Sequence, residues 1–150
     1  VGHGARGFGF RTMEQALEQG LKPTTISTDV HKQNVDGPVY DMPTTMSKLL
    51  ALGVSLDDVI EMSTSAPARV LHQEGVLGTL KPGAVADVVV SELARGEFTY
   101  LDVLHEKRVG EQRILPEVVV HNGEIYDGES YEATDMIHTA DAPPGFIEPT

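Results

Sequence analysis

Apolar and polar positions alternate along this chain in two different rhythms. Residues 11–20 carry a helical pattern, with Met13, Ala16 and Leu17 on one face. Thr12 and Gln15 stand at capping-box spacing, Gly20 supplies a stop, and Pro23 prevents resumption. Thr24-Thr25-Ile26-Ser27-Thr28 is short and β-branched, and reads as a buried strand ending at Asp29. A polar loop over residues 30–43 follows.

Three helical segments come next. Met46, Leu49 and Leu50 line the first, which Gly53 closes. The second opens on the Ser55/Asp58 capping box, with Leu56, Val59 and Ile60 predicted inward. The third starts at Ser65, tolerates Pro67 in its first turn, and has Val70 and Leu71 as its predicted apolar face.

From Gly75 the rhythm changes. Leu80-Lys81-Pro82-Gly83 is a turn, and strands are predicted over 85–90 and 98–104. Val118 to His121 and Glu124 to Tyr126 flank Asn122-Gly123, the strongest local hairpin signal, because a type I′ turn needs positive φ at both central residues. The first half therefore reads as β/α units and the second as all-β. The stretch from Glu132 reads as an acidic tail.

Composition narrows the functions. With 11 Lys and Arg against 23 Asp and Glu, the net charge is −12. The basic residues are scattered, so there is no stripe to displace counterions from a nucleic acid or to hold an anionic membrane. No apolar run is long enough for a membrane span and no signal peptide opens the chain, which makes the cytoplasm the default compartment. Cysteine is absent, so a metal here would need His nitrogen and carboxylate oxygen.

Asp29 sits where a parallel β/α barrel places its functional groups, at the carboxyl end of a strand. Such an Asp can bind a metal or take a proton from water; it can equally form a turn or cap a helix. His31 lies two residues on, the spacing at which extended residues face one side. His3, between two glycines, reads as a turn residue, and His31, in a polar loop, reads equally as solvated. His72, His105, His121 and His138 lack metal-ligand spacing and read as surface or packing residues.

Taken in order, Val1-Gly2-His3-Gly4 with Phe8-Gly9-Phe10, Thr25 to His31, Gly37 to Leu50, Thr64-Ser65-Ala66-Pro67-Ala68, Gly78 to Val90 and Val118 to Asp127 resemble the amidohydrolase superfamily, in its dihydroorotase-like amidohydrolase/deacetylase group. The likeness runs to about Gly128. It implies an α/β fold: the C-terminal part of a metal-dependent hydrolase TIM barrel over residues 1–74, a small β-sandwich domain over 75–128, and a tail over 129–150. It implies hydrolysis of a C–N amide, N-acyl or cyclic, or a related ester, in a small-molecule substrate. One or two divalent metals, usually zinc, would activate the water. Asp29 would be metal ligand and proton shuttle, with His3 and His31 lining the substrate pocket.

The rest of the family's ligands, an H-x-H pair, a bridging carboxylated Lys and further His residues, have no match here. One carboxylate cannot hold a zinc that takes about three protein ligands, and a complete barrel takes about 250 residues. The chain is therefore expected to be inactive alone. Open strand edges make a homo-oligomer compatible with the pattern. A non-catalytic module derived from this fold and a deaminase of the same superfamily are the alternatives.

Overall fold

A computed structural model describes residues 1–4 and 6–127, so the tail, with His138, lies outside the described residues. The elements run α1 (Phe10–Glu18), α2 (Met42–Ala51), α3 (Leu56–Ser63), α4 (Ser65–Val70), β1 (Val88–Leu101), β2 (Lys107–His121) and β3 (Glu124–Asp127). The strands form one antiparallel sheet in the order β1-β2-β3. No helix among the described residues is long and apolar enough to cross a membrane.

The Ser55 cap forms as its spacing predicts, with Oγ accepting from Asp58 N at 3.2 Å. The first helix starts differently. Its N-cap is Gly9, with no side-chain cap bond, so the Thr12/Gln15 box is not made. The Asp102 carboxylate, 92 residues on, accepts from Phe10 N at 2.7 Å instead.

Two apolar faces also depart from the pattern. Ile60, Val70 and Leu71 are exposed, while the small residues Ala66 and Ala68 are buried. Helix α4 packs against α3, and its Ala66 and Ala68 positions are the ones covered.

The predicted strands 85–90 and 98–104 fall on one element, β1, which runs from Val88 to Leu101 and leaves residues 85–87 and 102–104 outside it. Residues 91–95 have little β-preference of their own, and pairing with β2 carries the strand through them. The register shifts at Arg95/Phe98, which brackets Gly96, and again at Val90/Ser91. Pro116 stands opposite Ser91 at that second irregularity, beyond the end of the β3 pairing, where a missing N–H costs the ladder least. The Asn122-Gly123 hairpin forms with φ of 49° and 84°.

One hydrophobic core joins the helices to the sheet. Phe98 and Tyr100 of β1 pack with Phe8, Phe10, Leu49, Val59 and Met62. At Gly110 of β2 a Cβ would meet Ala51 Cβ at 2.8 Å, so the glycine lets α2 lie close on the strand. Arg108 of β2 adds a two-pronged bond to Glu14 of α1, at 2.7 and 2.9 Å.

Candidate active site

Two short extended segments run side by side in the parallel sense at one end of this core. Ser27 N donates to Val1 O, His3 N to Ser27 O and Gly4 N to Thr28 O, each at 2.9 Å. Ile26, buried between the pair and α3, donates its N–H to Met62 O at 2.9 Å.

Asp29 follows at the carboxyl end of the second segment. It is exposed and left-handed, with φ of 49°, a conformation Asp tolerates better than most residues. Its carboxylate lies against Gly4: a Cβ there would be 2.6 Å from Asp29 Oδ2. Asp29 caps no helix, since the next one starts at Met42 behind Asp41, whose Oδ1 accepts from Thr44 N at 2.6 Å.

The left-handed turn at Asp29 breaks the extended run, so the two-residue spacing does not by itself aim His31 and Asp29 the same way. What joins them is Asn34, which is buried. Its Oδ1 accepts from His31 N at 2.6 Å and its Nδ2 donates to Asp29 O at 3.1 Å. His31 is exposed, and its Nδ1 accepts from Gln33 N at 3.2 Å.

His3 is fully buried, stacked on Phe8 with ring centroids 5.0 Å apart. Its Nε2 lies 2.7 Å from Lys48 Nζ, and its Nδ1 lies 3.1 Å from Gly4 O. An ammonium only donates and a carbonyl only accepts, so the pattern assigns the proton to Nδ1 and leaves Nε2 as acceptor. Burial, and then the Lys48 charge, push the His3 pKa down to about 4. Burial also pushes Lys48 down to about 7, against the opposing pull of Asp102 and Asp41. Lys48 Nζ donates a further bond to Pro38 O.

Neither Lys48 nor Asn34 stood out in the sequence. Lys48 falls beside Leu49 and Leu50 in a helix whose apolar residues suggested the inner face. Asn34 sat among loop residues that are polar anyway. Among the described residues no three His, Asp or Glu side chains gather so as to hold a metal ion. The residues present therefore do not make a metal centre by themselves; Asp29 could contribute one oxygen.

The model of the amidohydrolase family matches residues 6–125. The chain belongs to the amidohydrolase family. A deacetylase of Enterococcus faecalis is 39% identical to this amidohydrolase chain over 128 residues, covering 85% of it and 34% of the relative. A deacetylase of Brucella anthropi is 38% identical over 102 residues, covering 68% of this chain and 25% of the relative. Among solved structures, one described as an adenine deaminase superposes with a TM-score of 0.80 at 39% identity, covering 85% of this chain and 34% of that one. A dihydroorotase does so with a TM-score of 0.76 at 32% identity, covering 85% and 33%. The chain thus spans between a quarter and about a third of the length of these proteins.

Proposed function

We propose that this chain is the C-terminal part of an amidohydrolase that hydrolyses a C–N amide, N-acyl or cyclic, or a related ester, and that it supplies the acid/base carboxylate, Asp29. Residues 1–74 would be the last β/α units of a TIM barrel and residues 75–128 a small β-sandwich domain. The observation that carries the reading is the place of Asp29. It ends the second of two parallel segments and lies against a glycine at the end of the first. That is where a β/α barrel collects its reacting groups.

In this reading Asp29 takes a proton from the attacking water as the new C–O bond forms. It returns the proton to the leaving nitrogen as the C–N bond breaks. A divalent metal, zinc before others, belongs to the proposal as the group that would polarise the carbonyl. Its other ligands must come from residues outside those described. His31 flanks the site from the same loop. His3, shut off from solvent, would support the site from behind rather than touch substrate.

Deamination of a nucleobase is the second reading, because one of the similar solved structures is described as an adenine deaminase while the curated relatives are deacetylases. A substrate panel separates them: N-acetylated amino acids, a hydropyrimidine, an aryl ester and adenine.

Asp29→Asn in the full-length polypeptide tests the carboxylate. Asn accepts the left-handed backbone equally well, so folding should hold. Loss of a positioned acid/base costs about 10²–10⁴ in turnover. An Asp29→Asn protein that turns over its substrate normally removes the assignment and leaves Asp29 a turn former.

A further inference from the structure

We propose that Lys48 is a positioning residue for Asp29: from α2 its Nζ fastens the end of the first segment and the far side of the Asp29 loop to one another. The proposal rests on the reading of Asp29 as the acid/base group.

Lys48 has no solvent exposure. A buried ammonium is unfavourable for folding, and an apolar side chain of similar volume is often as good or better there. What the lysine provides is reach and two directed bonds. They go to His3 Nε2 and to Pro38 O, which belong to separate segments at the Asp29 end of the fold. Burial favours the neutral amine, and the carboxylates of Asp102 and Asp41 oppose it only in part; either form donates both bonds.

Two routes lead from Nζ to Asp29. On one side the His3 ring, held at Nε2, meets Gly4 O through Nδ1 at 3.1 Å. Gly4 in turn donates to Thr28 O at 2.9 Å, and its bare Cα faces the Asp29 carboxylate. On the other side Pro38 lies in the loop that begins at Asp29. Tyr40 N donates to Asn34 O at 3.3 Å, and Asn34 Nδ2 holds Asp29 O at 3.1 Å. Removing Nζ therefore frees both supports of Asp29 while leaving the helix and sheet packing in place.

The test is Lys48→Met in the full-length polypeptide, read by amide hydrogen exchange, melting temperature and steady-state kinetics on the substrate panel, with Asp29→Asn in parallel. The expected result is exchange at Asn34, Val35 and Tyr40 at least about tenfold faster, with α2 and β2 amides unchanged and no fall in melting temperature. Turnover should drop about 10²-fold, the scale of a misplacement of about 1 Å, with KM nearly constant. Parent-like loop exchange overturns the proposal. So does a loss of activity that tracks a lowered melting temperature and faster exchange throughout α2, the signature of a merely structural residue.

Lys48→Gln, too short to reach both segments, carries the test should the methionine variant not fold. Parent-like exchange and turnover in it also overturn the proposal. If Asp29→Asn proves fully active, the acid/base reading fails and the catalytic claim for Lys48 falls with it. The exchange data would then still show whether Lys48 holds the loop.

Discussion

Asp102 offers the sharpest test of how this fold is held together. It lies just past β1, without solvent exposure, and its carboxylate accepts three backbone N–H groups. Oδ2 takes Phe10 N at 2.7 Å, and Oδ1 takes Leu104 N at 2.8 Å and Glu106 N at 2.9 Å. The first turn of α1 has no acidic residue of its own, so this distant carboxylate supplies both the cap and the negative charge at its start.

A hydrogen bond to a charged acceptor contributes about 1.5–3 kcal/mol, and an orphaned buried donor costs about as much. Asp102→Ala removes three such bonds, and water can reach some of the freed donors. The net loss should be on the order of 4 kcal/mol. At about 2–4 °C per kcal/mol for a chain of this size, the melting temperature should fall roughly 10 °C. Asp102→Asn keeps one oxygen acceptor and presents an amide NH2, itself a donor, to the remaining N–H, so about 1.5–3 kcal/mol should be lost. Thr12→Ala is the control: if the local capping box is truly unmade, it should cost less than about 0.5 kcal/mol. Thermal and urea denaturation give the totals, and exchange at the Phe10 amide reports the cap itself. An Asp102→Ala protein that melts with the parent and protects Phe10 equally would refute the reasoning, as would a Thr12→Ala protein that loses as much.

Gly4→Ala should lower the turnover of the full-length polypeptide about 10²-fold. The left-handed backbone, φ of 51°, would cost about 1–2 kcal/mol, and the new Cβ would drive Asp29 Oδ2 away; normal kinetics would contradict the packing of Asp29 on Gly4. Stability should rise with pH through two windows. An unfolded His3 titrates near 6.5 and the folded one at about 4, so the unfolded state holds the extra proton between those values. Lys48 does the same between about 7 and 10.5. Each contributes at most about 1.4 kcal/mol per pH unit, and urea midpoints measured across pH in parent and Lys48→Met should show the upper window vanish in the variant.

Local chemistry made part of this legible. The Ser55 cap and the Asn122-Gly123 hairpin depend on neighbours a few residues away, and both form where the spacing places them. The strand predicted over residues 24–28 is only an extended segment with a single bridge among the described residues, Ser27 to Gly2, because its partner is the short run at residues 1–4. Long-range pairing was not legible. Residues 91–95 carry no strand pattern because β2 imposes the strand on them. The Phe10 cap comes from Asp102, which no window around α1 contains. Ile60, Val70 and Leu71 were assigned inward on hydrophobicity alone, yet which side of a short helix is covered depends on what packs against it. For the candidate site, the position of Asp29 was readable, whereas the clamp of Asn34 and the bond from Lys48 to His3 exist only once the loop has closed.

Helix α2 shows why a polar residue can be the informative one. Its buried residues are Thr44, Thr45, Ser47, Lys48 and Leu49, so polar side chains outnumber the apolar one. A buried polar group must find partners or destabilise the fold. Thr45 and Ser47 do so within their own helix start, on Asp41 O at 2.9 Å and Pro43 O at 2.7 Å, and Ser47 Oγ also accepts from Ile114 N at 3.0 Å. The last of these bonds ties α2 to β2. Lys48 directs its bonds away from the helix, to a histidine in one segment and a loop carbonyl in another. Packing of α2 does not need that arrangement, since the core beside it is already built from Leu49, Val59 and Tyr100. The groups that do need it are the two backbone segments whose meeting point is Asp29.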